Sequence, residues 1–362
     1  MINNLNFSPD YTSLCLSSDS YYRIYNCEPF GQLLNIDSSA LILKMLFSTS
    51  LTILVQESNK LIIQNLKQNL KICDLEFDSK IIDIKLNRKR LLVVLESSIH
   101  IYDLISIQLI KILELKSKFI GDLSESWLVV PSNLLDDDEN GYVIIYDIIK
   151  LEVVLRFKAH NSKIEKLSIS KNQIATASIK GTIIRVFHLN DDQIDKVSNL
   201  RRGHNPAKIT TLSFHLDNHI LGCASESNTV HLFNLTDEIT TNENESDDSN
   251  EMKKLILSKP IESKASISWL KKTKKLINTS YKKLPYKEYL NNLIWEPPRR
   301  SFAYIKLPEY EKEKPRIEIG FNRDIIFIAS YNSGKFYQYQ LPKKTNDSDR
   351  EECLLINQYN LI

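Results

Sequence analysis

One short segment recurs along this chain and leaves few folds open to it. An apolar or aromatic run with Asn, Asp, His or Gln at its fifth position appears at 22–26, 61–66, 99–104, 143–147, 184–189, 230–235 and 336–341. The first six copies begin roughly 37 to 47 residues apart, the spacing of a four-stranded propeller blade. Another short apolar strand precedes each copy, as at 90–95 (Arg90, then Leu, Leu, Val, Val, Leu95) and 173–177. Turn formers (Asn, Asp, Ser, Gly) separate these segments, and helical periodicity is almost absent outside the insertion described below. Seven copies predict an all-β, seven-bladed propeller of the WD-repeat kind over residues 1–362, built from antiparallel strands with radial closure. The segment 353–359 is expected to supply the last outer strand.

The seventh copy lies much further on than the repeat allows, which calls for an insertion in blade six, between Leu235 and a strand at 301–306. The interval 236–300 belongs to no blade, and its composition divides it. Residues 236–252 hold seven Asp/Glu and no Lys/Arg, the composition of a disordered acidic stretch. Residues 253–300 hold thirteen Lys/Arg against three Asp/Glu, interleaved with aromatic and aliphatic side chains. There Ile267, Leu270, Ile277 and Tyr281 fall on one helical face, with Trp269 off the stripe. A basic amphipathic segment of this kind suits a membrane interface, where each cation near an anionic leaflet adds about 1 kcal/mol. Basic residues with interleaved aromatics also suit nucleic acid, and a solvated loop with no partner is the third reading.

A second feature stands out at Leu200-Arg201-Arg202-Gly203-His204. Successive side chains on an extended backbone point to opposite sides, so the two arginines cannot easily share one anion. Each is placed to head its own pocket, with the glycine expected to let the chain turn straight afterwards. Surface arginines ordinarily sit in weak ion pairs; the repeat context gives this pair more weight. Around it, Thr176-Ala177-Ser178 and Ser225-Glu226-Ser227 read as equivalent places in successive blades, followed by Thr182 and Thr229. Glu226 would repel a phosphate if it faced the second of these pockets.

Composition excludes several alternatives. The five cysteines are scattered with no paired spacing, as expected of reduced core residues. No apolar stretch reaches the length needed to span a bilayer, and Met1-Ile2-Asn3-Asn4 lacks the basic-then-apolar order of a secretory signal. There is no Gly-rich phosphate loop, metal-ligand cluster or Ser/His/Asp arrangement to suggest an enzyme, and no cofactor is implied.

These residues carry a resemblance. Leu200-Arg201-Arg202-Gly203, the stretch from Tyr22 to Phe30 and the stretch from Leu86 to Leu95 resemble the motifs of the PROPPIN family, seven-bladed propellers that bind phosphoinositides and serve in autophagy. The likeness runs over every blade, and the insertion sits where the family carries its long sixth-blade loop. It implies two lipid headgroup pockets on neighbouring blades. The first would use Arg201 with His160, Thr176, Ser178, Thr182 and Arg185; the second, Arg202 with His204, Ser225, Ser227, Thr229 and His231. Cationic donors for ring phosphates and small hydroxyls for ring oxygens are the chemistry such a headgroup needs.

The resemblance further implies a non-enzymatic, cytoplasmic scaffold, held peripherally at preautophagosomal, endosomal and vacuolar membranes. It would recognise phosphatidylinositol 3-phosphate or 3,5-bisphosphate, and its protein partners would be the autophagy machinery, including a lipid-transfer protein. Nucleic acid is not expected as a partner, because it would leave the Arg-Arg-Gly turn without a role. The alternative is a propeller acting only as a protein-interaction hub.

Overall fold

The architecture follows from how often both faces of a strand are apolar. In Arg90–Leu95 every residue after the arginine is buried, and the run is divided by parity. Leu91, Val93 and Leu95 pack toward the preceding blade, while Leu92 and Val94 pack toward the next. A strand buried on both faces loses the apolar–polar alternation of a half-exposed sheet, which is why these segments read as continuous apolar runs.

The computed structural model describes residues 1–68, 70–135, 140–190, 193–236, 298–308, 314–342 and 350–362. Its strands form seven antiparallel sheets arranged as a β-propeller. Blades one to five occupy 2–36, 42–76, 81–114, 122–158 and 164–201; blade six, 209–234 with 303–306; blade seven, 317–340 with 354–360. Each recurring segment is the third strand of its blade. The single helical element among the described residues is a 3-10 turn, Ser132–Leu134. The propeller unit comprises Met1–Leu235 and Pro298–Ile362.

Seven buried apolar clusters fill the gaps between neighbouring blades, one to each gap. Cys15, Cys27, Cys223 and Cys353 are buried within them or beside them as free thiols, and Cys73 is half-buried.

Leu354–Asn360 supplies the outer strand of blade seven, as expected, and Ile2–Phe7 the inner strand of blade one. Among the described residues no strand is shared across the seam between these blades. Side chains close it instead. Phe30 stacks on Tyr25, Phe336 and Tyr359 at centroid distances of 5.3, 5.0 and 4.1 Å. The Tyr331 hydroxyl donates to the Leu5 carbonyl at 2.7 Å and accepts from the Leu5 amide at 3.1 Å. Gln338 donates to the Cys27 carbonyl at 2.8 Å.

Two additional strands, each two residues long, lie on the outer edges. Arg299–Arg300 runs parallel to the outer strand of blade five, with Leu200 opposite Arg299 and Arg201 opposite Arg300. Glu351–Glu352 runs parallel to the outer strand of blade six, opposite Ala303 and Tyr304. The chain is therefore back on the propeller at Pro298, within the 236–300 interval read as insertion. The amphipathic stripe (Ile267, Trp269, Leu270, Ile277, Tyr281) and the acidic stretch lie outside the described residues, apart from Thr236.

Candidate functional site

Register decides what each arginine faces. In blade five, Thr176 pairs with Arg185 and Arg185 with Asn199; Ile183 pairs with Arg201. Directly opposed residues project from the same side of a sheet, so Thr176, Ser178, Arg185 and Arg201 share one face. Ile174 and Phe187 lie on that face and pack against blade four. Leu200 projects the other way, with Ala175, Ala177, Ile184 and Val186, into the cluster shared with blade six. Arg202 continues on that side: its charge acts on Cys223 and His231, both of blade six. The two arginines thus serve different gaps between blades, as strand alternation requires.

On the blade-four side, His160 is buried, and its Nε2 lies 2.9 Å from Thr176 Oγ1 and 3.2 Å from the Thr176 carbonyl, to which it donates. Arg185 donates to the Ala159 carbonyl at 2.6 Å. Burial, reinforced by the Arg185 charge, pushes the His160 pKa down to about 4. Ser178 is buried at the end of the Thr176 strand, and Thr182 is half-buried. Arg201 is half-buried, and among the described residues its guanidinium meets no hydrogen-bonding or charged partner.

On the blade-six side, Arg202 is buried at 8% exposure. Its Nε donates to the Gly181 carbonyl at 2.8 Å and its Nη2 to the Asn205 carbonyl, while its amide donates to Thr182 at 3.0 Å. Among the described residues only neutral carbonyls meet this charge, and burial pulls the guanidinium pKa below its usual value. Ser225 and Ser227 are hydrogen-bonded to each other at 2.7 Å. His231 is buried, paired with Cys223 on one side and Tyr304 on the other. Its pKa is also pushed down to about 4, first by burial and then by the Arg350 and Arg202 charges. Thr229 opens the same strand, half-buried. His204 stands exposed beyond the glycine, and no contact among the described residues ties it to this group.

Three readings of the sequence change here. Ser178 and Ser225 each end the second strand of their blade and face the first residue of the inner strand, Ile164 and Ile209. The equivalent of Thr176-Ala177-Ser178 is therefore Cys223-Ala224-Ser225, and Ser227 falls two residues further on, in the turn. Gly203 is not what turns the chain: a Cβ there would meet nothing within 4 Å. Gly181 is the constrained glycine, at φ +59°, with a Cβ position 1.9 Å from the Ala207 carbonyl oxygen. Finally, Glu226 does not face the second pocket. It pairs with Lys314 at 2.7 Å and lines an axial cavity of about 880 Å³, where Lys85 and Asp122 also pair at 3.2 Å.

Sequence reasoning missed Arg300, set beside Arg201 by the short parallel strand, and Arg350, whose guanidinium donates to His231 Nδ1 at 2.9 Å. Nothing local marks either residue, since a two-residue strand carries no periodicity. Among the described residues there is no cluster of three His, Cys, Asp or Glu able to hold a metal ion, and no helix long and apolar enough to cross a membrane.

The two buried histidines make stability acid-sensitive. Unfolded, each titrates near 6.5; folded, at about 4. Between these values the unfolded chain binds protons that the folded chain does not, so stability is complete above about pH 6.5 and falls as pH drops toward 4. Melting temperatures recorded from pH 7 to pH 4.5 should fall with acid, and His160→Gln with His231→Gln should flatten the slope.

Comparison with known proteins bears on the family and the fold. A profile described as PROPPIN matches residues 1–281. Autophagy-related protein 21 of Candida albicans is 42% identical, the alignment covering 100% of this chain and 99% of that protein. Autophagy-related protein 18 of Dictyostelium discoideum is 34% identical over 84% of this chain and 80% of its own length. Among solved structures, the complex of KlAtg21 with the coiled-coil of AgAtg16 superimposes with a TM-score of 0.72 at 26% identity, covering 100% of both chains.

Proposed function

Since this chain belongs to the PROPPIN family, we propose that it is a non-enzymatic autophagy scaffold that binds 3-phosphorylated phosphoinositides through two pockets, one on each side of blade five. One observation carries this reading. Adjacent arginines, Arg201 and Arg202, serve different gaps between blades, Arg201 on the face of blade five that carries Thr176 and Arg185, Arg202 acting on His231 of blade six, and neither is paired with a carboxylate among the described residues. A cation kept in a cleft without a counter-charge is arranged for an anionic ligand. Guanidinium groups suit phosphates because their planar donors bind bidentately.

The first pocket is formed by Arg201, Arg185, His160, Thr176, Ser178 and Thr182. The second is built on Arg202 with Ser225, Thr229 and His231, Ser227 lying at its turn and His204 at its exposed margin. Two weak sites on one rigid body gain by linkage, because the second headgroup binds intramolecularly. The sequence of residues 253–300, basic and rich in aromatics, would add attraction to an anionic membrane surface. Blades away from the pockets remain available to autophagy proteins; the solved relative that holds a coiled-coil supports such a role.

Sedimentation with phosphatidylcholine vesicles, with and without phosphatidylinositol 3-phosphate, tests the reading. The wild-type protein is expected to sediment only with the phosphoinositide. Arg201→Thr/Arg202→Thr should lower the bound fraction at least about tenfold, the loss of charge-assisted hydrogen bonds at both pockets. Equal sedimentation of the variant would reassign the affinity to the basic segment. No sedimentation of either protein would favour a purely protein-binding propeller.

A further inference from the structure

We propose that Arg350 is a ligand-contacting residue of the second pocket, standing in for the cation that blade five carries on its own third strand. The inference rests on the phosphoinositide reading above and goes on to assign a residue outside the repeat.

The argument begins with internal symmetry. Arg185 faces Thr176 across blade five, and His231 faces Cys223 across blade six, at the same step of the ladder. The position that holds a guanidinium in the first pocket therefore holds an imidazole in the second. That imidazole is neutral near pH 7, since its pKa lies at about 4. Left to its own strands, the second pocket would carry one fixed positive charge where the first carries two.

Arg350 makes up the difference from another part of the chain. The parallel pairing of Glu351–Glu352 with Ala303–Tyr304 holds it at the edge of blade six. Its guanidinium carbon lies 5.3 Å from the centroid of Tyr304, the direct cross-strand neighbour of His231. Its Nη2 donates to His231 Nδ1 at 2.9 Å, so the neutral ring carries its proton on Nε2 and keeps that donor. The Ser301 hydroxyl, also buried, lies 3.4 Å from the same Nδ1.

Arg350 thus meets this neutral histidine directly, and the Arg202 charge acts on the same ring, both depressing its pKa. Among the described residues neither guanidinium is paired with a carboxylate. Like charges brought together at a partly buried site repel unless an anion lies between them. A phosphomonoester on an inositol ring, with two negative charges and three acceptor oxygens, has the charge and the acceptors this group lacks.

Titration calorimetry with short-chain phosphatidylinositol 3-phosphate tests the assignment. The wild-type protein is expected to bind two lipids, and Arg350→Ala one, the second site weakened at least about tenfold. Arg350 is exposed, so the variant should keep the wild-type melting temperature. His231→Arg combined with Arg350→Ala should regain two sites, because it rebuilds in blade six the strand cation of blade five. Two unweakened sites in Arg350→Ala, or no recovery in the double variant, would overturn the inference. A wild-type protein that takes up no lipid would overturn the phosphoinositide reading itself, which is distinguishable from a silent Arg350→Ala in a protein that binds. Competition by inorganic phosphate as strong as by the lipid would assign the site to free phosphate and overturn the headgroup assignment.

Discussion

Phe336→Ala is expected to destabilise the propeller by about 3–5 kcal/mol, the cost of truncating a fully buried aromatic side chain, and to lower its melting temperature by several degrees. Phe336 is 0% exposed and lies at the centre of the seam between blades seven and one. It stacks on Phe30 at 5.0 Å, meets Phe327 at 5.4 Å and touches the Tyr359 and Phe7 rings at slightly longer range. Elsewhere, consecutive blades are joined by a short covalent link. At the seam, side chains and a few hydrogen bonds alone hold the first blade to the last, so a cavity there weakens the one joint with no covalent support. Leu354→Ala, on the exposed outer strand of the same blade, serves as the control and should change little. A Phe336→Ala protein melting within about a degree of wild type would show that the seam does not limit stability.

Gly181→Ala is the second large effect, expected to disturb both pockets together. At φ +59° an alanine is strained by about 1–2 kcal/mol. Its Cβ would also lie 1.9 Å from the Ala207 carbonyl oxygen, a backbone atom that moves only if the segment after the arginine pair moves with it. The Gly181 carbonyl accepts from Arg202 Nε, and the next residue, Thr182, accepts from the Arg202 amide. Displacing this turn therefore unseats Arg202, while Arg201 shifts with the strand end. Vesicle sedimentation should fall about as far as in the double arginine variant, with a lower melting temperature as well. Gly203→Ala, where a Cβ meets nothing, should leave both unchanged. Equal behaviour of the two alanine variants would refute this account of the turn.

The contrast between these glycines shows where the sequence was legible. The blades could be read because burial on both faces makes their strands uniformly apolar, a signal that recurs seven times. Opposed directions for Arg201 and Arg202 could be read because alternation is a property of any extended backbone. The glycine beside the arginines drew attention through adjacency, whereas the one that matters touches a carbonyl 26 residues ahead in the chain. Matching Ser178 to Ser227 failed for a related reason: the local Ser/Thr pattern sits two residues out of register, and only the ladder reveals the shift. Arg300 and Arg350 were illegible because each owes its position to a two-residue strand, too short for any pattern. The seam was illegible because its aromatics come from opposite ends of the chain.

The short strand Arg299–Arg300 has a consequence for how this protein can vary. It clamps the returning chain to blade five just before the outer strand of blade six begins. The point of return is thereby fixed by hydrogen bonds at the edge of a rigid sheet, independent of the path taken between Thr236 and Pro298. Lengthening or shortening that stretch is expected to leave the register of blade six and the position of Arg201 as they are. The ring is thereby insulated from changes in the segment, whose composition, on the function proposed above, answers to membrane binding and not to the fold.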